Sequence, residues 1–189
     1  MRRQLLPALR MFLAMTLLTG FTYTAFVTGI ASIAFPEQAA GSLVKAASGE
    51  VVGSRLIAQA FTAPENFHPR PSAVDFKATG SGASNLGPTS QELIDLISQR
   101  VFDYRVSNGL DPATSVPIDA VTSSGSGLDP HISVANARLQ ASRVAEVRGL
   151  PLGQVMELVD QHTIRPDFGF LNEPVVDVLG LNLALEDLR

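Results

Sequence analysis

One loop of the sequence carries the side chains that could perform chemistry. Within the nine residues from Ser123 to His131 it offers hydroxyls, a carboxylate and an imidazole. Ser126 and His131, together with the earlier Asp119, are the residue types of a nucleophile, a base and an orienting acid. Such a triad is recognised by geometry and not by chain order, so hydrolysis is one open interpretation. The nucleophile elbow Gly-x-Ser-x-Gly is absent, because Gly125-Ser126-Gly127 has a different spacing.

A structural role explains the same loop, and we favour it. Glycine-rich turns use positive φ angles, and short polar side chains such as those of Asp129 and Ser133 accept hydrogen bonds from nearby backbone amides. His131 can join the two arms of the loop in the same way. We therefore expect the loop from Thr122 to Ser133 to be held by its own hydrogen bonds.

Metal, nucleotide and nucleic-acid sites find no support in the sequence. The chain has no cysteine, and its three histidines are far apart, so no metal-ligand pattern forms. No Gly-x-x-x-x-Gly-Lys-Ser/Thr phosphate loop occurs. From Glu37 onward, 11 Lys and Arg face 18 Asp and Glu, a net charge of −7 without any basic run. We expect no metal or cofactor bound by a readable motif, and no nucleic-acid partner.

Helices and strands must position the loop. Thr89 opens a capping-box pattern, and the helix that it starts should end at Asn108-Gly109. Ser133 should cap a second helix that stops at Gly149, and a third helix should follow Pro151. These patterns predict three amphipathic helices around the polar loop.

Two apolar runs read as strands, from Val116 to Val121 and from Val175 to Leu181. A long segment from Thr62 to Pro88 is rich in Pro, Ser, Gly and Asn, and we expect packing to fix it. The aromatic residues that would do so are Phe61, Phe67 and Phe76. The predicted fold is one mixed α/β domain over residues 36–189, with three helices on a small sheet.

The amino-terminal region reads as a single transmembrane helix. Met11 to Phe35 are 25 consecutive positions without a charged residue or a histidine. A helix of that length measures about 37 Å, against about 30 Å of hydrocarbon. Because Arg2, Arg3 and Arg10 precede it, residues 1–10 should be cytoplasmic and residues 36–189 extracytoplasmic. A cleaved signal is the alternative, but its apolar region of about 7–15 residues would be shorter.

Small and hydroxylated residues recur every four positions along the predicted span. Such residues let helices approach closely in lipid, and their hydroxyls can bond across the contact. Alternatively, the hydroxyls bond back to their own helix. We interpret the series as a docking strip, composed of Thr16, Gly20, Thr24, Thr28 and Ser32.

Several short runs of residues, spread in order along nearly the whole chain, also match the sequence motifs of a known protein family. The runs are Gly53–Phe61 (GSRLIAQAF), Arg70–Ala73 (RPSA), Ala83–Thr89 (ASNLGPT), Val116–Thr122 (VPIDAVT), Ser124–Ser133 (SGSGLDPHIS), Arg143–Ala145 (RVA) and Asn182–Leu185 (NLAL). With these runs the chain resembles the C subunits of the Kdp potassium-transporting ATPases. The run from Ser124 to Ser133 is the most specific of them.

The resemblance implies a non-catalytic subunit of a high-affinity, ATP-driven potassium importer in the bacterial plasma (inner) membrane. In that family the channel-like A subunit binds potassium, the B subunit is a P-type pump that hydrolyses ATP, and a small F subunit stabilises the complex. The C subunit is needed for assembly and activity, and is described as a catalytic chaperone that raises the ATP affinity of the pump subunit. ATP and potassium are therefore handled by the complex.

An extracytoplasmic domain meets no ATP, so we expect this chain to act by docking. The strip would contact a partner in the bilayer, and the loops Ser81–Thr89 and Thr122–Ser133 would face the potassium-binding subunit, where Asp129 adds a negative field near the ion entrance. The candidate contact residues in these loops are Ser84, Asn85, Ser124, Ser126, Asp129 and His131. The alternative is a membrane-anchored extracytoplasmic serine hydrolase that uses Ser126 and His131.

Overall fold

The computed structural model describes residues 2–46 and 49–188. The chain divides into two compact units, Met1–Val52 and Gly53–Arg189, and each is described by itself.

The first unit consists mainly of one long apolar helix. It runs through α1 (Arg2–Met15), a π-helical segment (Thr16–Thr22) and α2 (Tyr23–Ala34). Its stretch Arg3–Ala34, 32 residues, is long and apolar enough to cross a membrane by length and composition. The prediction of an apolar helix near the amino terminus is confirmed, although the helix begins well before Met11, because α1 tolerates Arg10 and even Pro7.

The π-helical segment was not predicted. Its hydrogen bonds close on the fifth residue back, as in the bond from the Tyr23 N–H to the Leu18 carbonyl. The Thr22 hydroxyl also donates five residues back, to the Leu17 carbonyl at 3.2 Å. Because π turns are wider than α turns, four-residue steps such as Thr16 to Gly20 no longer overshoot a full revolution there. The π segment therefore counteracts the drift that a four-residue series shows on a regular α-helix.

After the long helix the chain forms a short helical turn and a hairpin. Phe35 leaves helical geometry with a φ of −138°, and α3 (Pro36–Ala39) starts with proline at its first position, where the missing N–H costs nothing. Strand β1 (Leu43–Lys45) pairs with β2 (Val51–Ser54) in a two-stranded sheet.

The second unit is a mixed helix and sheet domain, as predicted. Its elements are α4 (Gln91–Ser107), a 3₁₀ turn (Ile118–Ala120), β3 (His131–Ser133), α5 (Val134–Arg148), α6 (Leu152–Gln161), β4 (Thr163–Ile164), β5 (Val175–Asp177) and α7 (Val178–Glu186). The three strands form an antiparallel sheet in the order β3-β5-β4. The prediction of three helices omitted α7.

The core lies between the sheet and the helices α5, α6 and α7. Ile132 of β3 is paired with Val176 of β5, and both are buried. The helices face them with small and branched apolar residues, which allow close packing. The cluster includes Ala137, Ala141, Val144, Val155, Val159, Leu181 and Leu185, together with Phe67 from the long irregular segment.

The predicted N-cap and stop residues of α5 are both confirmed. The capping box predicted before α4 does not form. The Ser133 hydroxyl accepts the Asn136 N–H at 3.1 Å, and Gly149 ends α5 in the left-handed region at a φ of 66°. Thr89 instead lies in a turn closed by the bond from the Ser90 N–H to the Gly87 carbonyl. That turn moves the start of α4 to Gln91, with Ser90 as an N-cap that makes no side-chain bond.

Of the two predicted strands, Val116–Val121 is wrong and Val175–Leu181 is confirmed only in its first three residues. Val116–Val121 contains the 3₁₀ turn that follows Pro117, a residue with no N–H to offer a sheet. In Val175–Leu181 only the first three residues form a strand. Asp177 ends it, because its carboxylate accepts the Gly180 N–H at 3.1 Å and caps α7.

Candidate functional site

Two buried amides hold the long segment 62–88 against the helices. The Asn182 side chain accepts the Phe67 N–H at 2.8 Å and donates to the Phe67 carbonyl at 2.9 Å. The Gln140 side chain does the same for His68, with distances of 2.8 and 3.1 Å. Each amide thus replaces a strand partner for one residue. These two amide clamps fix the backbone from which the next residues reach the polar loop.

A buried guanidinium reinforces the same segment. Arg143 is 8% exposed and donates to the carbonyls of Pro64 and Asn66 and to the side chains of Asn108 and Gln140. Burial lowers its pKa. The guanidinium fork provides enough donors to satisfy four acceptors at once, which an ammonium group would not.

The polar loop is tied to segment 62–88 by an ion pair. Arg70 Nη1 lies 2.9 Å from Asp129 Oδ2, and Arg70 Nη2 donates to the Thr122 carbonyl at 3.4 Å. Arg70 Nε is buried without a hydrogen-bond partner among the residues that the structure describes. The ion pair must therefore offset a desolvation cost of roughly 1–3 kcal/mol.

Asp129 is a structural acid. Its other oxygen accepts the His131 N–H at 3.0 Å, and the His131 ring nitrogen Nδ1 lies 3.6 Å away. Burial raises the pKa of Asp129, but the His131 ring, the His131 N–H and the Arg70 guanidinium together outweigh it and hold that pKa below its usual value. Arg70 pairs with this carboxylate, so the charge of Asp129 is partly compensated within the domain.

Carboxylates cover the outer edge of the sheet. In the edge strand β3, the N–H groups that point away from β5 belong to His131 and Ser133. Asp129 accepts the first of them, and Asp119 accepts the second at 2.8 Å. Asp119 also accepts the Ser133 hydroxyl at 2.8 Å and the Asn136 amide at 2.9 Å.

The proposed triad geometry does not form among the described residues. Asp119 bonds to the start of α5, whereas the carboxylate beside the His131 ring belongs to Asp129. The Ser126 hydroxyl accepts the Leu128 N–H at 3.1 Å and lies 3.2 Å from the Ser124 hydroxyl. These hydroxyls hold the turn, as the structural interpretation predicted.

The structure brings the two predicted loops together. The Gly82 N–H and the Ser81 hydroxyl donate to the Ser126 carbonyl at 2.8 and 3.2 Å, and the Ser72 hydroxyl donates to the Gly127 carbonyl at 2.7 Å. Gly127 has a φ of 67°, and a Cβ there would lie 2.7 Å from the Gly82 carbonyl oxygen. Glycine is therefore required where the loops cross.

The candidate contact residues differ in accessibility. Ser84 and Asn85 are exposed, and Asn85 adopts a left-handed φ of 55° with its amide bonded to the Ala83 carbonyl at 3.1 Å. The other four are half-buried beneath the loop surface, namely Ser124, Ser126, Asp129 and His131.

The predicted docking strip lies on the apolar helix of the first unit, where Thr16, Gly20, Thr24, Thr28 and Ser32 are all exposed. Back-bonding threonines lie beside it, since the Thr19 hydroxyl donates to the Met15 carbonyl at 2.7 Å. Within residues 2–46, the hydroxyls of the strip make no such bond. They stay available to a neighbour.

A cleft of about 570 Å³ opens beside the ion pair. One wall is the loop and strand β3, and the other is the segment that joins β4 to β5. Its charged lining mixes acids and bases: Arg70, Asp119, Asp129, His131, Arg165, Asp167 and Glu173. No group of acids and histidines suited to a metal ion occurs in the described residues. The cleft is suited to a polar surface with charges of both signs.

The two amide clamps were not predicted from the sequence, although the buried position of Gln140 could have been. Gln140 falls at the i+3 position of the apolar series that contains Ala137, Ala141 and Val144, so helical periodicity already placed it on the buried face of α5. Its partner His68 lies 72 residues away, and no local pattern reveals such a contact.

Relatives of the chain carry one consistent name. Residues 5–187 match the family described as "KdpC: K+-transporting ATPase, c chain". The protein named potassium-transporting ATPase KdpC subunit of Mycobacterium bovis (strain BCG / Pasteur 1173P2) is 51% identical over 190 residues, covering 100% of both chains. The protein of the same name from Rhodospirillum rubrum is 52% identical over 99% of this chain and 97% of its own. The resemblance noted from the short runs is thus confirmed, and the chain belongs to the KdpC family.

Proposed function

We propose that this chain is a non-catalytic, membrane-anchored subunit of an ATP-driven potassium import complex, needed for assembly and activity. The observation that carries the proposal is the full-length match to KdpC subunits, at 50 to 52% identity in several bacteria. A match that covers both the apolar helix and the outer domain supports a shared role for both.

A non-catalytic role agrees with the polar loop. Ser126, Asp119 and Asp129 bond to backbone amides of the loop and of strand β3. A nucleophile needs a base within hydrogen-bond reach, and among the described residues Ser126 has none. Labelling of the purified chain by a serine-directed probe would instead support the hydrolase alternative.

The apolar helix would anchor the chain in the bacterial plasma membrane. Positive charge is retained on the cytoplasmic side, so the arginines at positions 2, 3 and 10 favour a cytoplasmic amino terminus and an outer domain beyond the membrane. Protease added to intact spheroplasts should then digest the domain. Digestion of the domain only in inverted vesicles would show that the domain is cytoplasmic, which is the opposite orientation.

The partners would be the potassium-binding A subunit, the ATP-hydrolysing B subunit and the small F subunit. In the bilayer, the free hydroxyls of the docking strip can bond across a helix contact. Outside, the exposed Ser84 and Asn85 and the cleft beside the Arg70–Asp129 pair offer polar groups for a contact. The domain would cap the outer side of the A subunit.

An effect on ATP use would then be indirect. A domain outside the membrane does not meet ATP, and the sequence lacks a phosphate loop. We propose that the chain raises the ATP affinity of the pump subunit by stabilising the assembled complex. This coupling requires that ATP in turn tightens the assembly, because linkage is reciprocal.

Co-purification from mild detergent tests the proposal. A tagged chain should recover a large ion-conducting polypeptide and a P-type pump, and its deletion should abolish potassium uptake at limiting potassium. Replacing the hydroxyls of Thr24 and Thr28 by valine should weaken recovery, whereas valine at Thr19 and Thr22, which bond to their own helix, should not. Recovery of the chain alone from wild-type membranes would refute the proposal.

The loop is tested separately. Ser126→Ala removes the acceptor of the Leu128 N–H, and Asp129→Asn weakens the bond to Arg70. Both variants should lower potassium uptake by misplacing the loop. Unchanged uptake and assembly would remove the loop from the proposed interface.

A further inference from the structure

A short hairpin projects two phenylalanines from the second unit. It comprises residues 165–174, between β4 and β5, and we name it the aromatic finger. Asp167 and Leu171 form an antiparallel bridge, and the Leu171 N–H donates to the Asp167 carbonyl at 3.0 Å. The Gly169 N–H donates to the Pro166 carbonyl at 3.1 Å. The tip is thus a closed turn with internal hydrogen bonds.

The tip is apolar and exposed. Phe168 is 88% exposed, Phe170 is 77% exposed, and Leu171 is 46% exposed. Phe168 also has a φ of 54°, in the left-handed region that bulky residues avoid. Neither burial nor backbone preference within this chain accounts for a phenylalanine there. Three exposed large apolar side chains within four residues are typical of a contact with another molecule.

The base of the finger continues into the polar cleft. Arg165, Asp167 and Glu173 line the same cleft as Asp129 and His131. A partner that covers the cleft therefore meets the finger as well. The two features form one continuous surface.

The charges of the finger distinguish a protein partner from a bilayer. Interfacial insertion would bury an apolar group about 5–10 Å deep. Asp167 directly precedes Phe168, so its carboxylate would be drawn toward the hydrocarbon and toward anionic headgroups. The finger has two acids against one base, Arg165, and no Trp, Tyr or Lys. A protein pocket can instead supply donors for both carboxylates.

We propose that the aromatic finger inserts Phe168 and Phe170 into an apolar pocket with a basic rim on another protein subunit of the transport complex. The inference rests on the proposed function and specifies the chemistry of one contact. The acids Asp167 and Glu173 meet the rim, and the phenylalanines fill the pocket.

Photo-crosslinking in the complete complex tests the contact. A benzophenone amino acid replaces Phe168 in the full-length chain, and a control chain carries it at Phe102, which is 63% exposed on α4. The expected result is an adduct between position 168 and a protein subunit of the complex, at several times the yield of position 102. Adducts with lipid only, or yields no higher than at position 102, would overturn the proposal.

Substitutions give a second measure. Phe168→Ser with Phe170→Ser should lower recovery of the complex at least tenfold, and Phe102→Ser should leave it unchanged. Asp167→Lys with Glu173→Lys should lower it similarly, because the new charges repel a basic rim. Normal recovery with the serine pair would overturn the finger contact alone. If deletion of the whole chain leaves the complex intact and active, the proposed function itself fails.

Discussion

Arg70 and Asp129 join parts of the chain that lie 59 residues apart, through a contact of 2.9 Å between Nη1 and Oδ2. The pair connects the clamped segment 62–88 to the loop that precedes β3. Both side chains are about one quarter exposed, 23% for Arg70 and 29% for Asp129, so water screens the pair only partly. The pair is thus a structural link between the two loops.

A double-mutant cycle should detect this link. We expect Arg70→Met and Asp129→Asn each to destabilise the chain, and the double variant to lose less than the sum of the two. The coupling free energy should be about 1–2 kcal/mol, within the range for contacting residues. Denaturant unfolding of the full-length chain in detergent measures it. Strict additivity would contradict the link.

Acid should weaken the same link. The folded pKa of Asp129 lies below its ordinary value of 3.8, so folding favours the ionised form. The resulting stability is complete above that ordinary value and is lost as the pH falls through the lower, folded pKa. Wild type should therefore lose its advantage over Asp129→Asn at acidic pH. Unfolding midpoints at neutral pH and below pH 3.8 test this, and a constant difference would contradict it.

His68 should make stability sensitive to mildly acidic pH. Burial and the nearby Arg143 lower its pKa from 6.5, although its bond to the Ala63 carbonyl opposes the shift. The fold therefore favours neutral His68, and its contribution is present above pH 6.5 and declines as the pH falls. His68→Gln keeps a donor and cannot be protonated. Its stability should vary less than that of wild type between pH 6.5 and pH 5, and equal slopes would refute the assignment.

The hydrogen bonds of the Asn182 clamp should contribute several kcal/mol to the free energy of unfolding. Asn182→Leu fits the buried site in size but leaves the N–H and the carbonyl of Phe67 without partners. Each buried group left unsatisfied costs about 1–3 kcal/mol. Gln161→Leu, an amide replacement on an exposed helix end, is the matched control and should cost little. A similar loss for both variants would show that the clamp is not special.

The sequence predicted features whose determinants are local. The apolar helix follows from an uninterrupted run, and α5 from Ser133, Gly149 and a regular apolar series between them. The run from Val175 to Leu181 was ambiguous, because short apolar stretches suit strands and buried helices equally. Asp177 divides this run into strand β5 and helix α7, because its side chain caps the helix.

The candidate site was predictable in composition but not in pairing. Ser126, Asp129 and His131 lie close together in sequence, so their shared loop was visible. The partner of Asp129 was not, because Arg70 reaches it through the folding of segment 62–88. The aromatic finger was also missed, since Phe168 and Phe170 belong to no periodic pattern.

The carboxylates of Asp119 and Asp129 have one further consequence. An uncovered strand edge is a template on which other chains can add and aggregate. Here the outward N–H groups of β3 are already occupied by acids of the same chain. A second copy of the chain therefore cannot pair with β3 through these two N–H groups, so this edge of the sheet is protected against strand addition.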